Sequence, residues 1–256
     1  MIVSKNAYIF KRLVQSLADI PVFCGNKINN RTTNTNMKKQ YLGDSKDSFK
    51  WGYHDFLAEE LDFPVLNVIL MMTSDDESND GKTDPTLFPA RKEILDFCED
   101  LRKERKVDLI HSLPIRTKSH YIVNLHNNDL QITNNNRKTY FSGLSSKEDQ
   151  LLLLDPDIGF EPEKSYSDKH ILYSDLSYIL EQISESSVVS VFQHNRHEKF
   201  TKTFLQIKEH LKNCYAKAIH WGSLMFVAIS KSESAIKKVS DANRKYSKAN
   251  PVEVIN

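Results

Sequence analysis

Glycine is scarce in this chain: seven in 256 residues, with the closest pair, Gly43 and Gly52, nine positions apart. A Walker loop and a GxGxxG dinucleotide turn both need clustered glycines, so that backbone amides can approach phosphate closely. Their absence argues against a P-loop nucleotidase and an ordinary nicotinamide dehydrogenase. Cysteine is sparse as well. Cys24, Cys98 and Cys214 are far apart and odd in number, which suits a reducing cytoplasm and not a disulfide framework or a cysteine-only zinc knuckle. No apolar run approaches the ~20 residues of a membrane span, so no membrane partner is expected. Net charge is only +1, leaving no global footprint of nucleic-acid binding, although a local basic groove stays open.

What is present suffices for one core. Hydrophobic residues make up 39% and charged residues 27% of the chain. Residues 1–36 read as an N-terminal extension, in part disordered. An amphipathic stretch over 8–17 leads there into an Asn/Thr-rich polar segment over 25–36. Lys11 and Arg12 interrupt any signal-peptide core, and Met37 is an alternative start. Residues 37–232 read as an α/β domain, and 233–256 as a C-terminal polar helix with a frayed tail.

Within the domain, Phe49, Tyr53, Phe56 and Leu57 keep helical spacing, and Pro64 ends that segment. An apolar, β-prone run over 65–72 predicts the first strand, followed by an acidic loop over 73–81. Asp84-Pro85 opens a predicted helix with Ile94, Phe97, Cys98 and Leu101 on its inner stripe. Residues 121–125 and 129–132 pair as a hairpin around Asn127-Asn128 in this reading. Strand and helix then alternate: 151–154, a helix carrying Leu176, Ile179, Leu180 and Ile183, 188–192, and a helix carrying Phe200, Phe204, Ile207 and Leu211. Two segments, 215–220 and 224–229, flank Trp221-Gly222-Ser223 as a closing antiparallel hairpin. The pattern predicts a Rossmann-like three-layer α/β sandwich with a mostly parallel sheet.

Ligands of such sheets bind beyond the carboxyl ends of the strands. Leu151-Leu152-Leu153-Leu154 reads as a strand buried on both faces, and it empties into Asp155-Pro156-Asp157-Ile158-Gly159-Phe160-Glu161. Asp155 and Asp157 there either hold Mg²⁺ or Mn²⁺, accept hydrogen bonds from a substrate amine, or simply terminate the strand. Gln193-His194-Asn195-Arg196 follows the next strand, where an imidazole and a guanidinium serve as base and phosphate clamp or as a polar cap. Asp44, Asp47 and Lys50 stand at a helix start, either as cofactor-binding residues, with Lys50 in the first turn of a helix whose N-terminus attracts an anion, or with one acid explained as an ordinary N-cap. Asp75 and Asp76 follow the first strand, the position of a ribose-binding acid or of a solvated loop. Lys169-His170 is a weaker candidate, and Asp175 reads as a helix start. Phe192, Trp221 and Phe226 read as core.

The blocks Tyr41-Leu42-Gly43-Asp44…Asp47…Phe49-Lys50-Trp51, Leu154 to Glu161 and Phe192-Gln193-His194-x-Arg196 resemble those of a bacterial family to which no activity is attached. More distantly, their order is similar to the ribosomal-RNA adenine-N6 methyltransferases with a Rossmann-like fold. In that family a strand ends in Asp-Pro-Pro-Tyr, of which Asp155-Pro156 keeps the first half; Asp157 and Ile158 replace the rest.

The resemblance implies S-adenosylmethionine as cofactor and a nucleic-acid base or nucleotide as partner. Asp155 would position an amino group, Phe160 with Glu161 and Gln193 would contact the base, and Asp75 or Asp76 would hold the cofactor ribose. Two other readings stand beside it. One is a metal-dependent phosphodiesterase or nuclease with Asp155, Asp157 and Asp47 on Mg²⁺ or Mn²⁺, His194 activating water and Arg196 on phosphate. The other is a non-catalytic nucleotide- or partner-binding module, in a prophage or defence setting.

Overall fold

The computed structural model describes residues 41–73, 81, 83–144, 148–195 and 198–256. The extension over 1–36, Asp75, Asp76 and Arg196 therefore lie outside the described residues. In chain order the elements are α1 (Ser45–Glu60), β1 (Val65–Leu70), α2 (Lys92–Glu104), α3 (Leu113–Thr117), β2 (Ile122–Leu125), α4 (Arg137–Tyr140), β3 (Leu151–Asp155), β4 (Gly159–Phe160) and β5 (His170–Ile171). They continue with α5 (Tyr173–Gln182), β6 (Val188–His194), α6 (Phe200–His210), β7 (Tyr215–Trp221), β8 (Leu224–Ser230), α7 (Glu233–Ala249) and β9 (Glu253–Ile255).

Seven strands form one sheet in the order β2-β1-β3-β6-β8-β7-β9. The first four are mutually parallel. Strand β8 runs antiparallel between β6 and β7, and β9 pairs antiparallel with β7. The Rossmann-like sandwich with a closing hairpin is what forms. None of the helices among the described residues is long and apolar enough to cross a membrane.

The leucine quartet shows why the layers stack as they do. Successive strand side chains point to opposite faces. Leu151 and Leu153 join the core beneath α1, α2 and α7, while Leu152 and Leu154 join the core beneath α4, α5 and α6. All four are fully buried, which contributes roughly 1.5–3 kcal/mol each. A strand flanked by β1 and β6 and covered by helices above and below has no polar face to offer.

Three local expectations are corrected. Residues 129–132 form no strand, and β2 instead pairs in parallel with β1. Asn127 takes φ 50°, which turns the chain, and the Ile132 amide donates to Met72 instead. Asp84-Pro85 opens only a short 3₁₀ turn, Pro85–Leu87; α2 begins separately at Lys92, with the expected stripe of Ile94, Phe97, Cys98 and Leu101 buried. The end of the chain is not frayed. Helix α7 buries Ile236, Val239 and Tyr246 against the core, and Glu253–Ile255 becomes an edge strand.

Helix α1 lies against the sheet through a buried imidazole. His54 Nδ1 donates to the Lys50 carbonyl at 2.7 Å, and Nε2 accepts from the Ser190 hydroxyl of β6 at 2.8 Å. Burial disfavours the charged ring and lowers its pKa from 6.5 to about 3. The unfolded chain thus takes up a proton below about pH 6.5 that the folded chain refuses until about pH 3. Stability supplied by neutral His54 is full above that window and is lost as pH falls through it, at about 1.4 kcal/mol per pH unit. Asp44 acts with the opposite sign over its own interval, because its pKa is raised on folding. Urea unfolding of wild type and His54→Gln between pH 7 and 4 separates the two: the variant is expected to lose less stability on acidification. Parallel pH slopes would refute the assignment.

Candidate functional site

The strand order turns at β1: the chain runs from β1 to β2 on one side and then places β3 on the other. Such switch points open a crevice at the carboxyl ends of the strands. A cavity of about 300 Å³ lies there, lined by Tyr41, Asp44, Lys46, Asp47, Lys50, Asp155, Pro156, Asp157, Ile158, Lys169, Phe192 and His194. Three blocks distant in the chain, at residues 41–50, 155–158 and 192–194, thus meet at one place.

The N-terminus of α1 supplies one wall. Asp44 is its N-cap, and Asp44 Oδ1 accepts from the backbone amides of Lys46 and Asp47 at 2.9 and 3.0 Å. Gly43 donates its own amide to Asp47 Oδ2 at 2.7 Å. Burial first, and the neighbouring Asp47 second, raise the Asp44 pKa to about 6. Capping and an altered acid are therefore the same residue.

Lys50 joins that wall to the floor. Its ammonium lies 2.7 Å from Asp155 Oδ2 and 2.8 Å from Asp47 Oδ1, with only 10%, 16% and 3% of the Lys50, Asp155 and Asp47 side chains exposed. Burial opposes the ammonium, yet Asp155 and Asp47 outweigh it and hold the Lys50 pKa above the ordinary lysine value. Burial pushes Asp155 up from the ordinary carboxylate value, with Lys50 pulling against it. Asp155 Oδ1 has no protein partner among the described residues. Asp157 accepts from the Thr73 hydroxyl at 2.6 Å, tying the end of β3 to the end of β1.

His194, at the end of β6, also lines the cavity, with Nδ1 3.1 Å from the Asn195 carbonyl and Nε2 3.5 Å from Lys46 Nζ. Among the described residues, no group of three or more His, Cys, Asp or Glu side chains is placed to hold a metal ion. Lys50 stands between Asp47 and Asp155, two of the three carboxylates that the metal reading names.

Of the residues expected at a site, Asp44, Asp47, Lys50, Asp155, Asp157 and His194 line this cavity. Phe160, Glu161 and Gln193 line a second cavity of about 820 Å³ along α6, together with Tyr173 and His210. There Phe160 is buried and stacks on Tyr173 with ring centroids 5.6 Å apart. Glu161 accepts the first amide of α5, from Tyr173, at 2.7 Å. Gln193 receives the Phe160 amide at 2.9 Å and donates to the His194 carbonyl at 2.7 Å. Gly159, at φ 126°, makes that clamp possible, because a Cβ would lie 2.4 Å from Gln193 Oε1.

Asp175 does start a helix, accepting the Leu172 amide at 3.0 Å, and it also pairs with buried Arg137. Phe192 and Phe226 are core residues, and Trp221 packs against that core partly buried.

Sequence reasoning missed Lys46, Thr73 and Tyr41. Lys46 carries a detectable signal, since it is a cation in the first turn of the helix that Asp44 caps. Thr73 carries none, because its role depends on β1 and β3 being neighbours. Comparison with protein-family models, with curated proteins and with solved structures gives no match.

Proposed function

We propose that the cavity at the carboxyl edge of the sheet is a methyltransferase-like site for an amino-bearing nucleobase. One observation carries the reading: Asp155-Pro156 ends β3 on the floor of the cavity, with Asp155 Oδ1 left available to accept a hydrogen bond. Lys50 fixes the other oxygen, so the carboxylate is held in one orientation. A preoriented acceptor costs no reorganisation when an amino group arrives.

The residues fit an adenosine-type group. A volume of about 300 Å³ matches the lower end of small-molecule sites and admits one nucleoside-sized body. Carboxylates on the α1 wall suit amino and ribose hydroxyl donors. S-adenosylmethionine, bound beside this cavity because the cavity itself admits only the acceptor, would supply the transferable methyl group. Asp155 would orient the acceptor amine, and Asp44, with its raised pKa, would accept the proton that the amine loses.

A second reading, a binding module without turnover, is favoured by Ile158 standing where the resembling family stacks an aromatic ring. A metal-dependent phosphodiesterase is not pursued, given the place Lys50 occupies.

Calorimetric titration of the full chain with S-adenosylmethionine tests the site. Wild type is expected to give saturable heat. Methyl incorporation into an adenine-containing oligonucleotide is expected to fall by about 10²-fold in Asp155→Asn. No heat at millimolar cofactor overturns the methyltransferase reading, whereas heat without incorporation selects the binding module.

A further inference from the structure

The cavity lining carries charges of both signs. Its carboxylates, Asp44, Asp47, Asp155 and Asp157, are described above. The same lining carries Lys46, His194 and Lys169, with Lys46 two residues along α1 from Asp44. The Asn195 carbonyl can only accept, so the His194 Nδ1–H donates to it, and Nε2 lies 3.5 Å from Lys46 Nζ. Among the described residues, Lys46 makes no close ion pair, although its charge acts on Asp44 two residues away. That sets it apart from Lys50, whose charge is taken up twice over by Asp47 and Asp155.

Resting on the reading of the cavity as a nucleobase site, we propose that Lys46 and His194 form an anion subsite, so that the preferred ligand is a nucleoside monophosphate unit and not a bare nucleoside. The amino end of the ligand faces Asp155, and its phosphate faces Lys46. This orientation sets negative charge against Lys46 and hydrogen-bond donors against Asp155. The reverse orientation brings phosphate against the Asp155 carboxylate, and like charges at close range repel. A phosphate of this kind comes either from a free nucleotide or from a nucleotide within a strand. The cavity of about 300 Å³ holds one nucleotide in both cases.

The experiment is a calorimetric titration of the full chain with adenosine, adenosine monophosphate and a 5′-phosphorylated adenine dinucleotide. Wild type is expected to prefer the monophosphate over adenosine by at least about tenfold, a preference that shrinks as salt rises. Lys46→Ala is expected to abolish the preference, while Lys46→Arg retains it. A dinucleotide bound as well as the monophosphate assigns the phosphate to a strand, and one bound at least about tenfold more weakly assigns it to a free nucleotide. Equal wild-type affinity for adenosine and monophosphate overturns the anion subsite and leaves the nucleobase reading standing. So does a preference that survives in Lys46→Ala. Silence from all three ligands overturns both.

Discussion

Lys50→Met is expected to melt on the order of 10 °C below wild type and to bind no ligand. Removing one partner of a buried ion pair costs about 3–5 kcal/mol, because the remaining charge is left without solvent or counterion. Here two charges are stranded: Asp47 and Asp155 both point at Lys50, within 2.8 and 2.7 Å, and both are largely shielded from water. For a domain of this size each kcal/mol corresponds to roughly 2–4 °C in Tm. The same side chain fixes the orientation of Asp155, so stability and binding fall together. The triple variant Asp47→Asn/Lys50→Met/Asp155→Asn separates charge from shape. It is expected to regain most of the lost Tm, since neutral groups of similar size carry little desolvation cost, but no binding. A single variant melting within about 2 °C of wild type would show that the triad is more solvated than its burial implies.

Gly43→Ala is the second large effect, with an expected loss of about 3 kcal/mol read from the urea midpoint. Gly43 has φ 81°, a conformation that disfavours any Cβ, and the added carbon would lie 2.0 Å from the Cys98 carbonyl oxygen and 2.6 Å from the Arg102 amide nitrogen. Both obstacles are backbone of α2, which cannot rotate aside as a side chain would. The helix must shift, and with it the loop that brings Tyr41 and Asp44 to the cavity. Gly143→Ala is the control. Its φ of 83° is equally unsuited to alanine, but nothing lies within 4 Å of the added carbon. The control should lose only about 1 kcal/mol. Equal losses at the two sites would mean that the contact with α2 contributes nothing.

The same residues show how far the sequence carries. Six of the site residues were readable because each sits at a boundary that the chain marks locally. Asp44 and Asp47 precede a helical stripe, Asp155 and Asp157 follow four leucines, and His194 follows a β-branched run. Lys50 lies one turn inside α1. Phe160, Glu161 and Gln193 share those blocks and yet face another cavity. Strand β4 leaves the main sheet and is pinned by the Gln193 side chain, a contact across 33 positions. The hairpin expected around Asn127-Asn128 failed for a related reason. Turn chemistry was present, but β1 offered a better-buried parallel partner for β2 than residues 129–132 did. Strand β9 was invisible because three residues carry no periodicity, and only the free edge of β7 gives them partners.

The sequence by itself determined the alternation of elements, the two-sided burial of β3 and the polar stops at the strand ends. Each depends on neighbours within one turn or one strand, so local spacing encodes it. Tertiary structure alone decided that Lys50 would stand between Asp47 and Asp155, that Thr73 would meet Asp157, and that Lys46 would meet His194 rather than a carboxylate. Those pairings follow from strand order and from the crossing of α1 over the sheet, and a linear chain does not specify which distant charges will share a space too dry to leave them separate.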